Sequence, residues 1–364
     1  MKSVALVALA RPTFDLAYAE RNFQGARALL KELGVEVVGP EQPIMTPEDV
    51  ANAKIPSADL YILLTASFSD ASPAVELLSK VPGPILGWSM REPGEVGDRL
   101  KLNSMCGINL ASHALLDNGQ TLRHLHGNFD EPEIKLALQD AINGKLPEAK
   151  TPPNKSGEMA SVEVVEHALK LLAKKRIGAI GEAPVGFPPC VYDEKQLKEI
   201  FGLTVTNIPI TNAFDRIAAV DESTRKKAHA AAVAAQPSLS NVNVAEATKV
   251  AGAEVAFDTW RAEENLDAIA VRCWPEFPTD LGACVCSSLG RISDRGTITT
   301  CERDVLGAVT MLVCEALGSD QNYLVDIVDL DASQNLIRLW HCGSAATKLA
   351  ADPDNATQSI HCNR

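Results

Sequence analysis

Two carboxylates and an imidazole, Glu302, Asp326 and His341, each stand where an apolar run of the sequence stops. The β-branched run from Thr297 to Cys301 predicts a short strand ahead of Glu302. The apolar stretch from Asp304 to Leu317, closed by Gly318, predicts a helix. Further strands are expected to end near Asp326 and at Trp340-His341. Ligands in sheet proteins with helices bind beyond strand ends. A helix plus a turn fits the gap between Glu302 and Asp326, and a turn plus a strand fits the gap to His341, so neighbouring strand ends can gather all three side chains. Such an oxygen-rich set suits Mn²⁺ or Mg²⁺ and admits Co²⁺ or Zn²⁺. Three protein ligands leave coordination positions open to substrate oxygens. The same residues also have structural roles open to them. Glu302 and Asp304 suit the positive N-terminus of the following helix, Asp326, Asp329 and Asp331 suit solvated turns, and a single histidine at a strand end is commonly structural.

The elements that must position these residues begin with a strand at residues 2–9, a helix from Phe14 to Leu33 stopped by Gly34, and a strand from Val35 to Val38. This β-α-β unit with short connections predicts a parallel sheet. Thr46-Pro47 opens another helix, with Thr46 as its cap and Pro47 in its first turn. Strands follow at Leu60 to Leu64 and Pro84 to Trp88, with helices at Ala74 to Leu78, Asn103 to Leu116 and Glu131 to Ile142. Arg11, Trp88 and Arg91 then lie at strand exits, on the ligand side of a doubly wound sheet. A polar, proline-rich stretch from Lys145 to Gly157 is the expected linker. The pattern restarts beyond it, with a strand at Arg176 to Ile180, helices at Glu194 to Phe201, Arg225 to Ala235 and Val244 to Glu264, and a strand at Asp267 to Cys273. The expected fold is α/β, with two consecutive doubly wound domains at 1–150 and 158–350. The metal-site segment lies at the end of the second, and 351–364 form a short C-terminal segment.

Composition restricts the partners. The chain has 364 residues, 46% hydrophobic and 22% charged, as in ordinary globular proteins. With 47 acidic against 34 basic side chains the formal net charge is −13. That argues against nucleic acid or an anionic membrane as partner and favours a neutral or cationic ligand or a metal. No apolar run approaches the roughly 20 residues needed to span a bilayer. The apolar run Val4 to Ala10 reads as a buried first strand and not as a signal peptide. Nine cysteines, an odd number set within apolar runs, point to reduced thiols and a cytoplasmic location. Cys284-Val-Cys286 is too closely spaced for a zinc-ribbon pair. Gly181-Glu-Ala-Pro-Val-Gly186 lacks dinucleotide-site spacing, and neither a phosphate-binding loop of the G-x-x-x-x-G-K-[ST] type nor a G-x-S-x-G elbow is present.

Cys301-Glu302-x-Asp304, an apolar helix containing Thr310, a strand closing on Asp326, and Leu339-Trp340-His341-Cys342-Gly343 together resemble the metal-binding region of the L-fucose isomerase and L-arabinose isomerase superfamily. Ala10-Arg11-Pro12-Thr13-Phe14-Asp15 resembles the first strand exit of fucose isomerases, and Trp88 falls where that family places a tryptophan of the sugar pocket. The resemblance implies a ketol isomerase acting on a small sugar. Glu302 and Asp326 would bind Mn²⁺, with Mg²⁺ or Co²⁺ as alternatives, and move a proton between C1 and C2 through a cis-enediol. His341 would carry metal only. Arg11 and Trp88, with Arg91 nearby, would contact the sugar, and the protein would be a homo-oligomer, a trimer or hexamer. Family members continue into a C-terminal β-rich domain with a further histidine ligand, about where this sequence reaches Ile360-His361-Cys362-Asn363-Arg364. That domain is expected to be absent or truncated. The segment Arg272-Cys273-Trp274-Pro275-Glu276 departs from the fucose-isomerase pocket strand and leaves the sugar open. Two other readings compete: a truncated, non-catalytic relative, and a two-domain sugar-binding protein of the periplasmic type.

Overall fold

The computed structural model describes residues 1–95, 98–148, 160–341 and 343–357. Much of the expected linker, residues 149–157, lies outside the described residues, as do Cys342, His361 and Cys362. The first half runs β1 (Ser3–Leu9), α1 (Leu16–Glu32), β2 (Glu36–Val38), α2 (Pro47–Asn52), β3 (Leu60–Thr65), α3 (Ser72–Leu78), β4 (Ile85–Ser89), α4 (Ser104–Asp117), β5 (Leu122–His126) and α5 (Pro132–Ile142). The strands form one parallel sheet in the order β2-β1-β3-β4-β5, a doubly wound order in which the winding reverses between β1 and β3. Alternate β1 side chains enter separate cores. Val4, Leu6 and Ala8 pack with Phe23, Leu30 and Leu138 of α1 and α5. Ala5, Val7 and Leu9 pack with Val50, Leu78 and Ile108 on the α2, α3 and α4 side.

The second half repeats the scheme with α6 (Val162–Leu172), β6 (Arg176–Ile180), α7 (Glu194–Phe201), β7 (Thr204–Ile208), α8 (Ile210–Ala219), α9 (Glu222–Ala235), α10 (Val244–Glu264), β8 (Ala268–Val271), α11 (Cys286–Asp294), β9 (Ile298–Cys301) and α12 (Val305–Ala316). Its sheet is also parallel, ordered β7-β6-β8-β9. Ile269 and Val271 face α8, α10 and α11, whereas Ala268 and Ala270 face α6, α7 and α12. Gly178 of β6 is required by packing, because a Cβ there would stand 2.6 Å from the Trp260 ring of α10.

Local chemistry accounts for the element ends. Thr46 caps α2 by accepting from Asp49 N, and Asp49 returns the bond in a capping box. Strands β5 and β7 lie outside the sequence expectation. Both are edge strands, Leu-Arg-His-Leu-His and Thr-Val-Thr-Asn-Ile, and neither carries the continuous apolar run of a strand buried on both faces. One strand boundary is corrected. Asp326 opens a strand, β10 (Asp326–Asp331), which pairs antiparallel with β11 (Leu336–Trp340), Asp326 opposite Trp340. The residues before it are held in irregular backbone, where Asn322 Nδ2 donates to Met311 O and Ser319 Oγ donates to Gln321 O.

Among the described residues no helix is long and apolar enough to cross a membrane. Trp260 is 1% exposed and separates α10 from β6 and β8. Trp260→Ala is expected to cost about 3–5 kcal/mol of unfolding free energy, measured by urea titration. Val244→Ala at the exposed start of the same helix is expected to stay within about 0.5 kcal/mol.

Candidate functional site

The C-terminal ends of the two parallel sheets approach one another. Ala71 N donates to Gly186 O at 3.0 Å, and the Phe68 and Phe187 rings lie 6.1 Å apart. The Arg11 guanidinium stands 5.7 Å from the Phe68 ring centroid and 5.8 Å from that of Trp274. Residues that follow β1, β3, β6 and β8 therefore share one crevice.

Glu302 enters the site on an unusual backbone. Both Glu302 and Arg303 have φ of 59°, a left-handed conformation that side-chain-bearing residues rarely adopt. The surroundings hold this two-residue turn. Arg303 N donates to Val271 O at 2.9 Å, and its Nη2 donates to Asn207 Oδ1 at 2.8 Å. The Arg303 guanidinium also lies over the Tyr192 ring. Asp304 then caps α12, its Oδ1 accepting from Gly307 N at 2.7 Å. Burial pushes the Asp304 carboxyl up, against the lowering effect of those backbone donors. Each left-handed non-glycine residue costs on the order of 1–3 kcal/mol, a strain that is concentrated at functional sites.

Asp326 arrives from outside both sheets and meets α4 of the first. Asn103 Nδ2 donates to Asp326 Oδ2 at 3.1 Å, from the left-handed residue that precedes α4. The Cys106 thiol donates to the same carboxylate; burial foremost, then the Asp326 and Glu302 charges, push its pKa well up. Burial and the charges of Glu302 and Asp304 likewise raise the Cys190 thiol. Glu302 and Asp326 thus act electrostatically on one sulfur. The spacing of the sequence contained no signal for Asn103 or Cys106; only their position after the β4 exit marks them.

His341 closes the hairpin. Its Nε2 lies 3.0 Å from Cys301 Sγ and its Nδ1 3.5 Å from Ser344 Oγ, while Tyr323 OH donates to His341 O at 3.3 Å. It lines a cleft of about 770 Å³ with Arg99, Arg291, Tyr323 and Trp340. Two carboxylates and an imidazole are suitable donors for Mn²⁺ in chemical type. Among the described residues no group of three or more His, Cys, Asp or Glu side chains is arranged to hold a metal ion.

The expected sugar contacts separate. Arg11 lies in the crevice, its backbone N–H donating to Ser67 Oγ at 3.0 Å across the β1/β3 switch point. Trp88 is 0% exposed within the first core, and its Nε1 donates to Gly127 O at 2.9 Å, so it supports the strand ends from inside. Sequence position alone suggested a pocket wall because strand-exit placement does not say which face a side chain takes. Arg91 is bound bidentately to Glu131, at 2.7 and 3.0 Å, and its Nη1 donates to Leu330 O at 2.8 Å, which spends it on fastening the hairpin.

That fastening has further members. His126 Nε2 lies 2.5 Å from Asp329 Oδ1, and Ser89 Oγ bridges His126 Nδ1 at 2.9 Å and His124 Nε2 at 2.8 Å. On β11, Arg338 Nη1 donates to Gly94 O at 2.9 Å and to Glu92 O at 3.2 Å. Glu92 in turn accepts from the backbone of Lys101, Leu102 and Asn103, and burial raises its carboxyl despite those donors. Cys106, Cys190 and Cys314 are free thiols.

Comparison with known proteins gives related sequences but no matching family model. A sulfoquinovose isomerase of Priestia aryabhattai is 31% identical, with 100% of this chain and 77% of the relative aligned. One of Alkalicoccus urumqiensis is 32% identical, with 100% of this chain and 78% of the relative aligned. A third, of Clostridium sp. (strain MSTE9), is 29% identical over 99% of this chain and 76% of its own length.

The clamp generates a pH dependence. Burial first, then the neighbouring His126, lowers His124 from 6.5 to about 4. Between these values the unfolded chain binds a proton that the folded chain does not. The stabilisation is complete above about pH 6.5 and is lost as pH falls toward about 4. The urea midpoint of the wild-type protein is expected to fall more steeply over that window than that of His124→Asn; parallel curves would contradict the assignment.

Proposed function

This chain belongs to the sulfoquinovose isomerase family, and from that premise we propose that it converts sulfoquinovose, an aldose carrying a sulfonate on C6, into the corresponding 2-ketose. That it is an aldose–ketose isomerase follows from the relatives; the particular sugar is the proposal. Identity of 31–32% along the whole chain carries the reading. We place the family within the fucose and arabinose isomerase superfamily on the motifs around Glu302, Asp326 and His341, and we assign the two parallel sheets to two consecutive domains.

The reaction exchanges two protons and leaves composition unchanged. In the proposed cycle Glu302 takes the C2 proton of the open-chain aldose, the C2 electron pair moves into a C1–C2 double bond, and the carbonyl oxygen becomes an enediol oxygen. Glu302 returns its proton to C1. Asp326 relays the O2 proton to O1, which leaves a ketone at C2. General acid–base transfer by positioned carboxylates accelerates such steps by typically 10²–10⁴-fold. Two observations support the pairing: both carboxylates act on the Cys106 thiol, and Asn103 and Cys106 orient Asp326. Mn²⁺, or Mg²⁺ or Co²⁺, is proposed as cofactor on donor chemistry alone, and His341 would have to leave Cys301 to join it.

Arg11 is proposed as a sugar contact, whereas Trp88 and Arg91 act behind the site through Gly127 and the hairpin. The free thiols of Cys106, Cys190 and Cys314 suit a reducing, cytoplasmic setting. A homo-oligomer, a trimer or hexamer, is proposed on the apolar hairpin face, where Ile337 is 59% and Leu339 53% exposed.

Glu302→Gln and Asp326→Asn are each expected to lower kcat by about 10²–10⁴-fold with retained thermal stability, scored as ketose formed from sulfoquinovose. Full turnover by Glu302→Gln would remove it from the proton path. Chelation followed by graded Mn²⁺ tests the cofactor: loss and recovery of activity are expected, and indifference to both would dismiss it.

A further inference from the structure

We propose that Arg11 is the specificity-determining residue that receives the sulfonate of the sugar; this rests on the isomerase reading above and adds how the site tells an anionic sugar from a neutral one. A chain of net charge −13 repels an anion overall, so its binding is favoured at a local cation whose N–H donors are not already taken. Four arginines stand one to two residues beyond strand ends of the two sheets, Arg11, Arg91, Arg272 and Arg303. Arg91 is bidentate with Glu131. Arg272 is paired with Glu276, at 2.5 Å from Nη2 to Oε1 and 3.0 Å from Nε to Oε2. Arg303 is bound to Asn207 and Tyr192. The Arg11 side chain differs from all three: among the described residues its guanidinium makes no ion pair and no hydrogen bond, and its contacts are the faces of Phe68 and Trp274.

Those two rings explain how an uncommitted guanidinium is held. An arginine stacked on aromatic faces keeps its plane fixed while its N–H donors point outward from the plane's edge, ready for two oxygens of a tetrahedral anion. The anchoring is shared between the sheets. Phe68 follows β3 of the first, Trp274 follows β8 of the second, and the Arg11 backbone is tied to Ser67 across the switch point. Trp274 also stands three residues after Val271, whose carbonyl holds the Glu302-Arg303 turn through Arg303 N. The cation and the proposed proton-transferring carboxylate therefore share one support, the end of β8. A sugar held by its charged end at Arg11 would have its other end constrained relative to Glu302.

The test compares Arg11→Gln and Arg11→Lys with the wild-type protein on sulfoquinovose and on quinovose, its neutral counterpart. Methanesulfonate serves as a binding probe in calorimetry, and melting temperature as a control on folding. Arg11→Gln is expected to lower the preference for the sulfonated sugar, as the ratio of kcat/KM values, by about 10–100-fold, chiefly through KM, and to weaken methanesulfonate by a similar factor. Arg11→Lys is expected to fall between, since it keeps the charge and loses the planar fork. An unchanged preference together with unchanged methanesulfonate affinity would overturn the proposal, as would equal losses on both sugars. If the wild-type protein fails on sulfoquinovose, the substrate reading falls, and methanesulfonate binding by Arg11→Gln still decides the role of Arg11.

Discussion

Asp326 belongs to neither sheet, and the candidate site depends on how the hairpin that carries it is pinned. A two-stranded hairpin is marginal by itself in water. Here β10 and β11 are attached to the first half through Asn103–Asp326, His126–Asp329, Arg91–Leu330 and the Arg338 contacts to the carbonyls of Glu92, Gly94 and Glu95. The hairpin springs from α12 of the second half, so those bonds also brace the two halves against each other. Loosening them would move one carboxylate of the pair while leaving Glu302 in place in the turn after β9.

Glu302 is held by a different kind of constraint. Its position rests on a left-handed two-residue turn, stabilised by Val271 O, Asn207, Tyr192 and the Asp304 cap. One carboxylate is thus fixed by backbone strain resisted on several sides, and the other by side-chain hydrogen bonds to a helix start. Cys106 lies where the two influences meet, a soft, weak donor that orients a carboxylate without neutralising it.

Charge illustrates how a whole-chain property and a site property can part. The net charge of −13 pointed to a neutral or cationic ligand, whereas the proposed substrate is an anion. The resolution is local. Arg91 and Arg272 are paired with carboxylates and Arg303 donates to Asn207 and Tyr192, whereas Arg11 is held on aromatic faces with its donors uncommitted. A sum over surface carboxylates says nothing about the field inside a crevice lined by such a residue.

By itself the sequence determined the α/β class, the central strands and most helix starts, because buried parallel strands need unbroken apolar runs and helix starts need capping side chains within a few residues. Thr46, Asp304 and the runs at Ser3–Leu9 and Leu60–Thr65 are of this kind. It also marked Glu302, Asp326 and His341 as chemically capable residues at the margins of strands. Only the tertiary structure decided the rest. The edge strands β5 and β7 exist because a neighbour offers a ladder, not because their own sequence demands burial. Trp88 and Arg91 face inward and toward the hairpin, since a strand exit does not choose a side-chain direction. Asn103 and Cys106 meet Asp326 from more than two hundred positions away. Such pairings depend on how two sheets and a hairpin are set against each other, and no local pattern of apolar and polar residues encodes that placement.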